Sequence, residues 1–286
     1  MSSIKFYKYE KNLNPIYLSI WISICIAVLF FLSYCYSFFI LYIPIVYFCS
    51  VITVGFAVTI GYLVRFSSKI FVITNKKIIY LISLFSSLFT IYFSWLAYIL
   101  QLSPNSINTY FFEPLIWIDV SFVFNSILVI NKFGLWGFFG ANLSGITLAT
   151  VWFVEAIFLI SIPLAIIKGY SISPFSSRIN KWYKKYELKK QFQTVINIPE
   201  AEEKIADNVL TFIDSLGTGE LSRHSVICIN YLEEEAIQYI QIINIRCDRE
   251  GKVTSKKIVI NNQAISKQEA KLLIEKYHGI KTFFFD

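Results

Sequence analysis

Hydrophobic positions along this chain follow two regimes. Up to Gly169 they form long runs almost free of charge, and beyond it they recur at helix and strand spacings among polar residues. A bilayer core about 30 Å thick needs roughly 20 apolar residues in a helix. Ile16 to Tyr36, Pro44 to Val64 and Ile78 to Leu100 reach that length without a charge, and Ile146 to Ile167 does so with one acidic interruption, Glu155. Tyr34, Tyr36, Tyr42, Trp95 and Tyr98 fall near the predicted ends, where amphipathic rings favour the headgroup layer. The pattern predicts a membrane all-α domain, a four-helix transmembrane bundle over residues 1–169, with an outer loop at 101–145. Within that loop, Tyr110 to Asn131 is apolar but interrupted by Glu113, Pro114 and Asp119, and is read as an interfacial or re-entrant segment rather than a fifth span.

Charge orients these spans. Basic residues outnumber acidic ones before the first span (Lys5, Lys8, Lys11 against Glu10), between the second and third (Arg65, Lys69, Lys76, Lys77) and from Lys168 to Ile198. Cys35 to Ile43 carries no charge, and the outer loop carries Glu113, Asp119 and Lys132. The positive-inside rule then places both termini in the cytoplasm and requires an even number of spans. Composition agrees: 16% of residues are charged, against about a quarter in globular proteins, and 56% are hydrophobic, so much of the apolar excess must face lipid. The basic start leads into an apolar run too long for a cleavable signal core, so the first span is expected to be retained. Cys25, Cys35, Cys49, Cys228 and Cys247 form no Cys-x-x-Cys pair, which points to neither a zinc site nor a disulfide framework.

Inside the spans, Glu155 needs a partner, a proton or water, because an isolated carboxylate at that depth costs several kcal/mol. It reads either as a protonatable or ion-facing group in a cavity between helices or subunits, or as a protonated structural carboxyl bonded to the hydroxyls or backbone of a neighbouring helix, for example Ser87, Thr90 or Ser94 of the third. Gly55, Ala57 and Gly61 mark a helix-packing face, with Ala57 and Gly61 at small-x-x-x-small spacing. Pro44 opens the second span, and Pro163 is placed to bend the fourth near its inner end. The glycines from Gly134 to Gly145 read as turn residues.

After Pro174, residues 170–193 form a basic linker. Ile179, Trp182, Tyr183 and Tyr186 stand at helical spacing, which predicts an amphipathic helix at the inner leaflet. Arg178, Lys181, Trp182, Lys184, Lys185, Lys189 and Lys190 are expected to face anionic lipid, and no nucleic-acid partner is expected. Residues 194–286 then read as a small α+β cytoplasmic domain. Pro199 and the following glutamates open a helix closed by Gly217. Ser225 to Leu232, Ile237 to Ile245 and Lys256 to Asn262 read as strands of an antiparallel sheet, and Ser266 caps a final helix closed by Gly279. No catalytic constellation, metal-ligand set or cofactor motif stands out in it. His224 reads as a surface histidine and Glu233, Glu234 and Glu235 as a solvated turn.

Several segments, YIPIVY and VGFAVTIGYLV in the second span, IYFSWLAYIL in the third, WFVEAIFLI in the fourth and PFSSRINKW at the exit, resemble a group of bacterial four-span membrane proteins with a C-terminal cytoplasmic domain. The resemblance covers roughly the first two thirds of the chain. It implies a multi-pass protein of the bacterial inner membrane and carries no activity with it. Where members of that group have cysteine after Pro-Phe, this chain has Ser176 and Ser177, so a redox or metal role at the exit is not implied here. Two functional expectations follow. One is a homo-oligomeric, channel-like membrane effector gated by a ligand or protein on the cytoplasmic domain, an arrangement that fold-level analogy connects with bacterial defence. The other is a non-conducting scaffold or assembly subunit of an envelope complex. A membrane-embedded enzyme is disfavoured, because the spans offer one carboxylate and no second acid, histidine or lysine to share the chemistry.

Overall fold

A computed structural model of the chain describes residues 4–8, 15–43, 46–102, 106–138, 141–170 and 172–281, so Pro44 lies outside the described residues. Two compact units emerge: Glu10–Tyr170, and a module made of Met1–Tyr9 together with Ser171–Asp286.

The first unit is helical. It contains α1 (Pro15–Tyr42), α2 (Val46–Ile70) and α3 (Lys76–Gln101). Then come the short α4 (Ser106–Phe112), a 3-10 turn at Pro114–Ile118, α5 (Val120–Phe133) and a hairpin of β1 (Leu135–Phe138) with β2 (Ala141–Leu143). It ends with α6 (Gly145–Gly169). Helices α1, α2, α3 and α6 are long and apolar enough to cross a membrane. They pack in a ring, α1 on α3, α3 on α6, α6 on α2 and α2 on α1, with α2 and α3 also in contact across the middle.

Unlike a water-soluble bundle, this one carries large apolar residues on its outside and hydroxyl-bearing ones within its apolar core. Phe31, Val51, Phe85 and Phe153 are exposed on its outside. Ser33, Ser37, Thr53, Ser83, Ser87 and Thr90 are buried within it. Ser33, Ser37, Thr53 and Thr90 return their protons to the preceding turn, as Ser33 Oγ does to the Leu29 carbonyl (2.7 Å) and Thr90 Oγ1 to the Ser86 carbonyl (2.7 Å). Gly61 allows α2 to close on α6: a Cβ there would lie 2.6 Å from Ile166 Cδ1 and 3.1 Å from Pro163 Cα. Ala57 is fully buried beside it, whereas Gly55 faces open space, so the predicted packing face consists of Ala57 and Gly61 without Gly55.

The segment from Tyr110 to Asn131 is broken into pieces shorter than a span. Asp119 caps α5 by accepting a hydrogen bond from the Phe122 amide (2.8 Å), and α5 runs only 14 residues, short of the roughly 20 a crossing needs. Tyr110 fastens the segment to the bundle. Its ring stacks on Phe30 at 4.4 Å and its hydroxyl donates to the Phe30 carbonyl (3.1 Å).

The module comprises β3 (Phe175–Ser176), β4 (Lys181–Trp182), β5 (Lys184–Glu187), α7 (Ile198–Ser215), β6 (Arg223–Tyr231), β7 (Ile237–Cys247), β8 (Val253–Ser266), α8 (Lys267–Lys276) and β9 (Ile280–Lys281). β3 and β4 form a hairpin, and the other strands form one antiparallel sheet in the order β8-β7-β6-β5-β9. Helices α7 and α8 bury Ile205, Val209, Ile213 and Leu273 in a common core with Ile227, Ile242 and Ile260. The predicted strands and both predicted helices are present. Asn197 caps α7 and a reciprocal Ser266–Glu269 capping box starts α8. Asn208, at φ −159°, interrupts α7, and its side chain caps the continuation by accepting from the Thr211 amide (3.0 Å).

Three expectations for this half are corrected. The basic stretch after Pro174 is not an amphipathic helix but β4 and β5, because its aromatic residues also suit a strand and the edge of β6 is there to pair Lys184–Glu187 with Cys228–Tyr231. Residues 171–193 therefore belong to the module rather than to a separate linker. The chain's first residues belong to it as well: Phe6 bridges Gln263, the Tyr7 amide donates to the Asn262 carbonyl (2.9 Å), and the Tyr7 ring meets Tyr239 edge-on. Finally, His224 is buried, with Nδ1 3.2 Å from the Glu220 carbonyl oxygen.

Candidate functional site

The one carboxylate of the four long helices is the starting point. Glu155 sits on α6, flanked along the helix by exposed Phe153, Val154, Ile157 and Phe158, and is itself half-buried. It lines a cavity of about 60 Å³ with Trp152 and with residues from two other helices, Tyr36 and Ser37 of α1 and Ser94, Trp95 and Tyr98 of α3. That volume exceeds the roughly 10–15 Å³ a single water needs.

Local contacts fix the walls. Ser37 Oγ donates to the Ser94 carbonyl across α1 and α3 (2.7 Å). Tyr36 stacks on Phe56 with ring centroids 4.5 Å apart, its hydroxyl 2.9 Å from Thr53 Oγ1. Trp95 and Trp152 meet edge to face at 4.7 Å, holding α3 to α6. Within this frame the Glu155 carboxylate makes no hydrogen bond or ion pair with any described residue. Ser94 Oγ, also on the cavity wall, is buried without a partner. The structural alternative, a carboxyl bonded to Ser87, Thr90 or Ser94, is therefore not formed: Thr90 bonds its own helix, and Ser87 Oγ is unpartnered. A carboxylate and a hydroxyl lining one cavity of this size offer oxygen ligands to water, a proton or a small cation.

Of the predicted site residues, Ala57 and Gly61 serve bundle packing. The basic set is dispersed, and part of it is committed inside the module. Arg178 pairs with Glu235 (3.2 Å) and Lys181 with Glu234, so the acidic turn is a docking point for the exit segment. A hydrogen bond from Ser176, with Arg178 beside it, holds the Glu235 carboxyl below its usual range, although partial burial opposes the shift. Lys190 reaches the Leu216 carbonyl (3.3 Å) and lies over the Phe192 ring, while Trp182 packs edge-on against Phe175. Lys184 is an exposed residue of β5, and Lys185 and Lys189 add no cluster to this set. Sequence reasoning found Glu155 but missed Tyr36, Ser37 and Trp152. The only sequence signal was the helical spacing of Ser83, Ser87, Thr90 and Ser94 on α3, which marks a polar stripe without showing what it faces.

Comparison of the chain with protein-family models, with curated proteins and with solved structures yields no match.

Proposed function

We propose that this chain is a multi-pass membrane protein with both ends on the cytoplasmic side, acting as a homo-oligomeric, channel-like effector under the control of its cytoplasmic module. The observation that carries this reading is Glu155: an ionisable group among apolar spans, without a partner among the described residues, lining a cavity whose other walls offer hydroxyls. Intramembrane carboxylates are expensive and typically mark ion or proton pathways. The interior of the single bundle is filled by Ile60, Ala57 and Tyr98, so a continuous path requires more than one copy of the chain. The pairing of Phe6 with Gln263 supports placing both ends on one side of the membrane, since an odd number of crossings would separate them. The positive-inside pattern supports a cytoplasmic assignment of that side, and the resemblance noted in the sequence supports a bacterial inner membrane.

The test is ion and proton flux in liposomes carrying the full chain, wild type beside Glu155→Gln. The expected result is flux that Glu155→Gln reduces at least several-fold, with unchanged insertion and oligomeric state. An inserted, oligomeric wild type that passes neither protons nor monovalent cations refutes the proposal. A scaffold role has one observation in its favour, the outer edge of β8 from Val253 to Asn261, which pairs with no other described strand. Lys256 and Lys257 on that edge blunt it against strand addition, which leaves the effector reading ahead.

A further inference from the structure

Alternate residues of a strand share one face of the sheet, and on the helix-covered face of the module the apolar core gives way to charge at one end. Ile227 faces Ile242 in that core. One step outward, Ser225 faces Asn244, which faces Lys257; a second step brings Arg223 opposite Arg246, which faces Ser255. The inner row is internally satisfied. Ser225 Oγ donates to Asn244 Oδ1 (2.7 Å), Asn244 Nδ2 donates to the Val195 carbonyl (2.8 Å), and the Val195 amide donates back to Ser225 Oγ (3.2 Å).

The cations beside it are not. The side chains of Arg223, Arg246 and Lys257 form no ion pair and no hydrogen bond among the described residues. Like charges directly opposite on neighbouring strands repel, so Arg223 and Arg246 destabilise the sheet end unless an anion lies between them. All three border a cavity of about 340 Å³, within the range of small-molecule sites. Thr194 Oγ1 is buried on its wall without a partner among the described residues, a donor awaiting an acceptor. Among the described residues no acidic one lines it, and aliphatic side chains such as Ile198 and Val259 form the apolar part. Acidic residues outnumber basic ones over Thr194 to Asp286, so this is a local cluster within an acidic module and not a broad polyanion surface.

We infer that this cavity binds a small phosphate-bearing molecule, its phosphate held between Arg223 and Arg246 with Lys257 and the Thr194 hydroxyl completing the cradle. Two arginines match phosphate geometry through paired charge-assisted hydrogen bonds. The aliphatic wall accommodates the rest of the ligand. Such a molecule has the chemistry expected of a signal read by the module, but the site is argued from its own residues and is measured without reference to flux, so it and the proposed channel activity fail independently.

The full chain in neutral-lipid nanodiscs is titrated calorimetrically with pyrophosphate and with ATP as probes. Saturable binding is expected, weakened about tenfold or more by Arg223→Ala and by Arg246→Ala, as loss of a charge-assisted hydrogen bond implies, and less by Lys257→Ala. Lys271→Ala on α8 serves as the charge-matched control and leaves binding unchanged. A parallel arm mixes the full chain in neutral-lipid nanodiscs with protein-free vesicles containing phosphatidic acid, with co-sedimentation of the two as the readout. Binding there but not to the soluble probes, lost in the same arginine variants, assigns the same phosphate chemistry to a lipid headgroup. The inference is overturned if neither arm shows binding, or if binding is equal in wild type and both arginine variants with circular dichroism and melting preserved.

Discussion

The bundle and the module solve opposite packing problems with one chain. In the module, Ile227, Ile242 and Ile260 are fully buried and its lysines and glutamates lie mostly outside. In the bundle, Phe31, Phe85 and Phe153 are outside while Ser83, Ser87 and Thr90 are fully or almost fully buried. Water drives the first arrangement, because removing apolar area from water is the main gain on folding. That drive is absent between helices in hydrocarbon, where close packing and internal hydrogen bonds hold the helices together, so small and hydroxyl-bearing residues go inward. The difference matches what hydrocarbon around the four long apolar helices and water around the module would select, and each contrast can be broken by substitution.

The largest effect is expected in the module core. Ile242→Ala removes a fully buried side chain and is expected to lower module stability by about 2–5 kcal/mol. Loss of amide hydrogen-exchange protection across β6 and β7 in the full chain measures it. Phe85→Lys inverts the test on the bundle. Phe85 is exposed near the middle of α3, and on a water-facing surface the change would be nearly neutral. In a lipid-facing span it is expected to cost about 2.5–3.5 kcal/mol of apparent insertion free energy, read by a translocon insertion assay. An unchanged insertion efficiency would remove this face from the bilayer.

Gly61→Val sharpens the account of how α2 meets α6. The added atoms enter space already held by Ile166 and Pro163, and a loss of about 1–3 kcal/mol is expected in thermal melting in detergent. Gly55→Val, where a Cβ meets nothing, is expected to have much less effect in the same melt.

The smallest effect lies on the module surface. Lys276 Nζ donates to both Asp214 carboxylate oxygens at 2.7 Å, and the Tyr277 hydroxyl donates to Oδ1 at 2.6 Å. The Lys276 hydrogen bond first, then that of Tyr277, holds the Asp214 carboxyl below its usual range. A depressed folded value means that this stabilisation is present above the unfolded value near 3.9 and is lost as pH falls through the folded one. Tyr277 is pushed up to about 12, by burial first and then by its bond to Asp214. Its contribution is therefore complete below the unfolded tyrosine value near 10 and lost as pH rises through about 12. Asp214→Asn is expected to cost less than about 1 kcal/mol at pH 7, because the pair is half-exposed, and this cost should vanish as pH falls through the depressed folded value of Asp214. Denaturation of the two proteins across that range checks the sign, and absorbance titration against Tyr277→Phe checks the phenol.

Much of the fold was legible because its causes are local. Apolar run length identifies the four long helices, and Ser266 with Glu269 marks the start of α8 before any contact is known. The segment around Lys184 shows where local reasoning fails. Ile179, Trp182, Tyr183 and Tyr186 fit a helix by spacing, yet the same aromatic residues serve equally well in a strand, and the available β6 edge decided the outcome. Glu155 was legible for the related reason that one charge in an apolar run stands out, whereas its neighbours did not. Tyr36, Ser94 and Trp152 lie on three different helices, and no spacing along the chain relates them.

By itself, the sequence determined the division into a helical half and an α+β half, the lengths of the four apolar helices and the presence of one carboxylate among them, because hydrophobic run length, capping and charge act over a few neighbouring residues. Tertiary structure alone decided that the first residues and the exit segment join the module sheet, that Glu155 and Ser94 line one cavity, and that Arg223, Arg246 and Lys257 border another. Those outcomes depend on strand register and helix packing between residues far apart in the chain, where many pairings satisfy the same local pattern and only the assembled core selects one.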